Sequence, residues 1–276
     1  MTTALARPVR IGVQIAPQHV PYEVIRDTLA ELEDLGVDIA FNWDHFFPLS
    51  GEPDGLHFEG WSMLAAWAEQ TSRIEFGPLV TCNSYRNPDL LADMARTVDH
   101  ISAKGAEGRL IFGIGSGWFE RDYEEYGYEF GTAGSRLNEL SDSMQRIRSR
   151  WSMLNPAPTR DIPVMIGGGG EKKTLRIVAE HADIWHSFSD VPTLERKLGV
   201  LAEWCGRVDR DPAAIEISTG ASVRSGVGDA SFDVLDQQFD LGARLFTLGI
   251  SGPTIDLAPV HDLLSWRNAK STHEAV

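Results

Sequence analysis

Pro163-Val164-Met165-Ile166-Gly167-Gly168-Gly169-Gly170-Glu171-Lys172-Lys173-Thr174 is an apolar run that ends in four glycines and passes at once into a basic, helix-forming segment. A short apolar run bounded by glycine reads as a buried strand, and strand, loop and helix in succession form the unit of parallel α/β folds. Backbone without β-carbons approaches a ligand closely and takes φ > 0 at no steric cost. The unpaired N–H groups opening the next helix, together with its dipole, favour negative charge. Lys172 and Lys173 add positive charge at the same end. A tight turn would need one or two glycines; four, followed by two lysines, point to an anion cradle suited to a phosphate.

The same unit recurs along the chain. Extended, β-branched segments fall at residues 9–15, 37–43, 74–82, 110–115, 163–166, 182–186, 215–219 and 243–248. Between them lie amphipathic helical patterns. Pro21 opens the first at N1, Ile25, Leu29 and Leu32 form its stripe, and Gly36 ends it. Asn87-Pro88-Asp89 starts another, and Leu137, Leu140, Met144, Ile147 and Trp151 mark the clearest. Eight β-α pairs in 276 residues predict an α/β fold of one kind, a single (β/α)8 TIM barrel, which uses about 250 residues. The domain is expected to span residues 1–267, with a frayed tail at 268–276. In such a barrel, function sits at the C-terminal ends of the strands. Those ends carry Gln14, Asp44-His45, Thr81-Cys82-Asn83, Ser116-Gly117-Trp118, the glycine loop and His186-Ser187.

Composition narrows the partners. Forty acidic against 25 basic residues give a net charge of −15, which opposes nucleic acid and anionic membranes, so an anionic ligand needs a local site. No stretch approaches the roughly 18 apolar residues of a membrane span, and the first ten residues hold no signal-peptide run. Two cysteines, Cys82 and Cys205, support neither a disulfide framework nor a thiolate zinc site. The expectation is a cytoplasmic protein acting on a small molecule.

Asn42-Trp43-Asp44-His45-Phe46-Phe47 is the second strong signal. Imidazole exchanges protons near neutral pH, and a neighbouring carboxylate orients it or raises its pKa. The same residues also fit an Asp that caps the following loop beside a half-buried His. His181, Asp183 and His186 lack the spacing of a helical metal site, so no metal is expected. The glycine loop matches neither a Walker loop, because Lys172 stands where the second Gly belongs, nor the dinucleotide fingerprint. Gly115-Ser116-Gly117 is not a nucleophile elbow.

Four segments in order, Asn42 to Phe46, Thr81 to Pro88, Arg109 to Phe119, and Ile166 to Thr174 with Ala182-Asp183-Ile184-Trp185, resemble the luciferase-like monooxygenase superfamily of (β/α)8-barrel flavin and deazaflavin enzymes. The likeness runs to about Gly220 and is greatest to the branch dependent on coenzyme F420, a deazaflavin. It implies that Gly167, Gly168, Gly169 and Gly170, with Lys172, hold the cofactor phosphate. Asp44 and His45 would lie near the ring. A non-prolyl cis bulge near Pro78-Leu79 would support its back, with Thr81 and Asn83 following, and Gly115, Ser116 and Gly117 would border ring and substrate. This chain departs from the family's sugar-phosphate dehydrogenases in carrying Ser116 where they place a Glu. It is also short between Trp151 and Asp161, where many relatives carry an insertion over the site.

The resemblance thus implies an F420-dependent oxidoreductase that exchanges hydride between the cofactor and a small organic substrate. His45 would give or take the proton, with Asp44 orienting it and Trp43, Phe46 and Trp118 shaping an apolar pocket. Glu120 and His186 are next in line for the proton. An FMN-dependent monooxygenase and a non-catalytic cofactor-binding protein of the same fold are the alternatives. A homodimer is expected.

Overall fold

The computed structural model describes residues 7–222 and 230–273. Strand and helix alternate: β1 (Arg10–Ile15), α1 (Tyr22–Leu35), β2 (Ile39–Asn42), α2 (Gly60–Gln70), β3 (Glu75–Pro78), β4 (Thr81–Cys82), α3 (Pro88–Ala103), β5 (Phe112–Gly115), α4 (Glu120–Tyr126) and α5 (Ala133–Met153). They continue with β6 (Val164–Gly167), α6 (Thr174–His181), β7 (Ile184–Ser187), α7 (Val191–Arg207), β8 (Glu216–Gly220), α8 (Ala230–Asp240), β9 (Ala243–Ile250) and α9 (Ala258–His273). All strand pairs are parallel, in the order β3-β2-β1-β9-β8-β7-β6-β5-β4. The ring closes where Ile111 N donates to Phe76 O at 2.8 Å and Phe76 N to Arg109 O at 3.2 Å. The fold is the expected TIM-type barrel.

Among the described residues it has nine strand pieces instead of eight because the third barrel strand is broken. The segment expected to run unbroken from 74 to 82 is interrupted at Leu79-Val80, whose peptide bond is cis. The bulge therefore lies one residue beyond the expected Pro78-Leu79 bond. Two boundaries also move. Pro21 is the N-cap of α1 instead of its first residue, and α9 runs on to His273 through part of the expected tail. Residues 274–276 lie outside the described residues.

Alternation along each strand sorts the core. Ile11, Val13 and Ile15 of β1, with Val164 and Ile166 of β6, face the helices and join the large outer cluster. Ile39, Phe41, Ile111, Met165, Ile184 and Leu245 face inward and fill the barrel's interior as one small cluster. Parallel strands covered by helices on one side and each other's side chains on the other are apolar on both faces, as their sequences are. At the N-terminal mouth, Arg10 bridges Glu75 at 2.6 Å and Glu216 at 2.5 Å. Above Phe41 and Met165 the inward positions become small or polar: Gln14, Gly115, Gly167, His186. That change opens the C-terminal end.

Candidate active site

The opening is a cavity of about 610 Å³, lined at one end by Val80, Gly115 and Gly167 to Gly169, and elsewhere by Trp43, His45, Trp118, His186 and Phe188. Gly115 and Gly167 stand at inward positions of β5 and β6. A β-carbon on them would come 2.8 and 3.1 Å from the Val80 methyl groups. The space beside Val80 therefore exists because two strands end in glycine.

The glycine loop shapes one wall. Gly168 has φ 121°, a conformation that disfavours any side chain, and its N–H donates to His186 O at 3.0 Å. Gly169 allows the closest approach: a β-carbon there would collide with the Lys197 ammonium, which reaches over from α7, and would lie 3.2 Å from Ser187 Oγ. Among the described residues the N–H groups of Gly169 and Gly170 have no hydrogen-bond partner, and no ion pair engages Lys197. Two free amides beside an ammonium that no carboxylate contacts directly, although Asp190 at the start of α7 acts on it through space, make a candidate anion site.

The helix after the loop starts later than the sequence implies. Glu171 to Lys173 form a turn, and α6 begins at Thr174. Lys172 is consequently exposed and outside the cavity lining, while Lys173 donates to Asn138 at 2.8 Å. The cation at the loop is Lys197, which stands among the apolar stripe residues Leu194, Leu198 and Leu201 of an amphipathic helix and carries no mark in the sequence. Gly170, Pro78 and Asn83 also lie outside the lining; Pro78 packs its carbonyl under Gly113, and Asn83 is buried with its Oδ1 unpartnered among the described residues. Asp44, His45, Leu79, Thr81, Gly115, Ser116, Gly117, Gly167, Gly168 and Gly169 all line it.

Asp44 and His45 do not work on each other. Asp44, 1 % exposed, accepts from Thr81 Oγ1 at 2.5 Å, from Cys82 N at 3.1 Å and from both terminal nitrogens of Arg86 at 2.6 and 3.0 Å. It ties the end of β2 to β4. The expectation that Asp44 orients His45 is thus corrected: the carboxylate on the imidazole is Asp122 of α4, with Oδ2 2.7 Å from His45 Nδ1. Asp122 is fully buried and also accepts from Phe46 N at 3.1 Å and from Tyr85 Oη at 2.8 Å. Burial, reinforced by the neighbouring Cys82 and Asp122, pushes the Tyr85 hydroxyl far above its ordinary range, so it remains a donor. With its charge held by three donors, Asp122 fixes Nδ1 as the protonated nitrogen and leaves Nε2 of His45 as the unprotonated ring nitrogen.

Aromatic rings surround that imidazole. Trp43, Trp118 and Phe119 meet it edge-on, with centroids 6.4, 5.6 and 5.5 Å away. Trp118 is 63 % exposed and Phe188 77 % exposed, so the mouth of the cavity is an apolar rim. Phe46, expected in the pocket wall, points away and packs with Tyr85, Tyr123 and Cys82. Trp43 Nε1 donates to His57 Nε2 at 3.0 Å, and burial pulls His57 down to about 4, which keeps it an acceptor. Burial likewise pushes the Cys82 thiol up to about 11 and removes it as a nucleophile. Glu120 is exposed at the start of α4 and is absent from the lining. No cluster of potential metal ligands occurs among the described residues. No helix among them is long and apolar enough to cross a membrane.

Fold and site together define a class. The chain belongs to the luciferase-like monooxygenase family, whose model matches residues 1–238. It is similar to the F420-dependent glucose-6-phosphate dehydrogenase of Amycolatopsis mediterranei, at 28 % identity over 186 residues, 60 % of this chain and 52 % of that one. The chain spans about half the length of the curated relatives it matches. An F420-dependent secondary alcohol dehydrogenase, solved with an F420-acetone adduct, has the same fold at a TM-score of 0.80 and 14 % identity, covering 95 % of this chain and 99 % of that one. So does the oxygenating constituent of 3,6-diketocamphane monooxygenase from Pseudomonas putida, solved with FMN, at a TM-score of 0.67 and 14 % identity over 95 % and 96 % of the two chains.

Proposed function

We propose that this protein is an F420-dependent oxidoreductase that exchanges hydride with a small, uncharged alcohol or carbonyl compound. The observation that carries the reading is one cavity lined both by the glycine-loop amides with Lys197 and by a carboxylate-held histidine. When bound, the deazaflavin supplies a two-electron hydride exchange at C5 and does not readily activate oxygen, which leaves positioning and one proton transfer to the protein.

The residues fit that division. The loop amides and Lys197 hold the phosphate, and Val80 backs the ring in the space that Gly115 and Gly167 leave beside it. His45 Nε2 gives or takes the substrate proton while Asp122 holds the ring and its tautomer. Trp43 and Trp118 exclude water and favour an apolar substrate. Lys197 is the one lysine or arginine lining the cavity among the described residues, so none remains for a phosphorylated substrate once the cofactor is bound. Ser116 in place of a Glu argues the same way against a sugar phosphate. The cradle also admits the phosphate of FMN, and an FMN-dependent monooxygenase is the second reading.

Two assays separate them. Absorbance of F420 is followed with a panel of secondary alcohols, and of reduced F420 with ketones and enones; oxygen uptake is followed with reduced FMN. Turnover of F420 without added oxygen uptake is expected. Uptake with reduced FMN and inert F420 would overturn the proposal.

A further inference from the structure

A second imidazole in the same cavity has a nitrogen with nothing to bond. His186, at the end of β7, is 2 % exposed and lines the cavity. Its Nδ1 lies 2.8 Å from Ser218 Oγ, while Nε2 has no hydrogen-bond partner among the described residues. A buried nitrogen left unmatched carries the full penalty of its lost hydration, and a site built for a ligand is where such a group belongs.

The direction of the missing bond follows from Ser218. Its side chain is fully buried, and Nδ1 of His186 is the hydroxyl's one partner among the described residues. Were Nδ1 to donate, the hydroxyl proton would have no acceptor. With the hydroxyl donating to Nδ1, both groups are matched and the ring proton sits on Nε2. Burial also pulls His186 down to about 4, so the ring is neutral at physiological pH and donates without bringing charge. Position identifies the recipient: His186 is paired with Gly167 in the β6–β7 register, and its carbonyl accepts from Gly168 N at 3.0 Å. The imidazole therefore stands beside the first two glycines of the loop, next to whatever molecule the loop holds.

We infer that His186 Nε2–H donates a hydrogen bond to an uncharged oxygen of the cofactor, a ring carbonyl or a ribityl hydroxyl, and that Ser218 is the positioning residue that fixes the donating tautomer. The two histidines of the cavity then divide the work: His45 exchanges the proton, and His186 recognises the cofactor. This rests on the reading that the cavity takes a flavin-type ring on a phosphate-bearing ribityl chain.

The test is fluorescence titration of wild type, His186→Phe, His186→Gln and Ser218→Ala with F420, FMN, riboflavin and lumiflavin, alongside each variant's thermal midpoint without ligand. His186→Phe should weaken F420 and FMN about tenfold, and His186→Gln, which keeps an N–H near the Nε2 position, by no more than about threefold. A loss that persists with lumiflavin assigns a ring carbonyl; one seen with riboflavin but not lumiflavin assigns a ribityl hydroxyl. Nitrogen-15 spectra of the ligand-free wild type, assigned by the signal missing in His186→Gln, should carry the Nε2–H tautomer, and Ser218→Ala should mix the two forms. A wild-type Nδ1–H tautomer, or a folded His186→Phe that binds both cofactors as wild type does, overturns the inference. If wild type binds neither cofactor, the functional reading itself falls, and this inference with it.

Discussion

Arg86→Met tests what the Asp44 carboxylate is for. The guanidinium is 11 % exposed and holds Asp44, 1 % exposed, through two bonds of 2.6 and 3.0 Å; it reaches Glu59 at 2.6 Å as well. Methionine fills a similar volume but leaves Asp44 with the Thr81 hydroxyl and the Cys82 N–H. Glu59 is 38 % exposed and finds water instead. Breaking a buried ion pair from one side costs about 3–5 kcal/mol, and the two surviving bonds put this case near the lower figure, about 3 kcal/mol. Asp44→Asn in the same chain removes the stranded charge, so the double variant should be more stable than the sum of the singles by about 1.5 kcal/mol or more. Urea unfolding of the cofactor-free protein measures it, as a lower midpoint at unchanged slope. An Arg86→Met variant within about 1 kcal/mol of wild type, or a strictly additive double, would refute the claim that Asp44 is committed to Arg86, and would reopen it as the partner of His45.

Other expectations concern the proton, the acid limit and the phosphate. With a turned-over substrate in hand, His45→Ala should lower kcat/KM by about 10²–10⁴ with cofactor affinity within a few-fold, and Asp122→Asn should lower it also, whereas an unchanged rate would move the proton transfer elsewhere. His186 is held at about 4 in the fold against an ordinary 6.5, so between those values the unfolded chain binds a proton that the folded chain refuses. Stability should thus fall as pH drops from about 7.5 toward 4, His186 contributing about 3 kcal/mol of that fall beside the share of His57, also held at about 4, and His186→Gln should remove the His186 share from a urea-midpoint profile. Lys197→Ala should weaken FMN and F420 by about tenfold or more and leave riboflavin nearly unchanged, while Lys172→Ala should alter none of them; equal effects would return the anion site to the Glu171–Lys173 turn.

What the sequence discloses here is period and local chemistry. The alternation of eight extended and helical patterns yields the barrel, and glycines at strand ends mark where its interior opens. The isomer of one peptide bond leaves no trace in a hydrophobic pattern, which is why residues 74–82 read as one strand while Leu79-Val80 divides it. His45 is conspicuous beside its aromatic neighbours. Its true partner is 77 positions away, inside the acidic run Glu120-Arg121-Asp122, which reads as a solvated face. Adjacency favoured Lys172 in the same way: it follows the loop in sequence, yet the turn aims it outward, and Lys197 arrives from a helix whose pattern gives no reason to single it out. Arg86 lay within a quoted motif, but only the fold brings it onto Asp44.

The central claim is the cofactor, and direct titration tests it. The purified protein is titrated with F420 and, separately, with FMN, each followed by absorbance to a dissociation constant. F420 is expected to bind more tightly; equal or tighter binding of FMN would contradict the cofactor assignment.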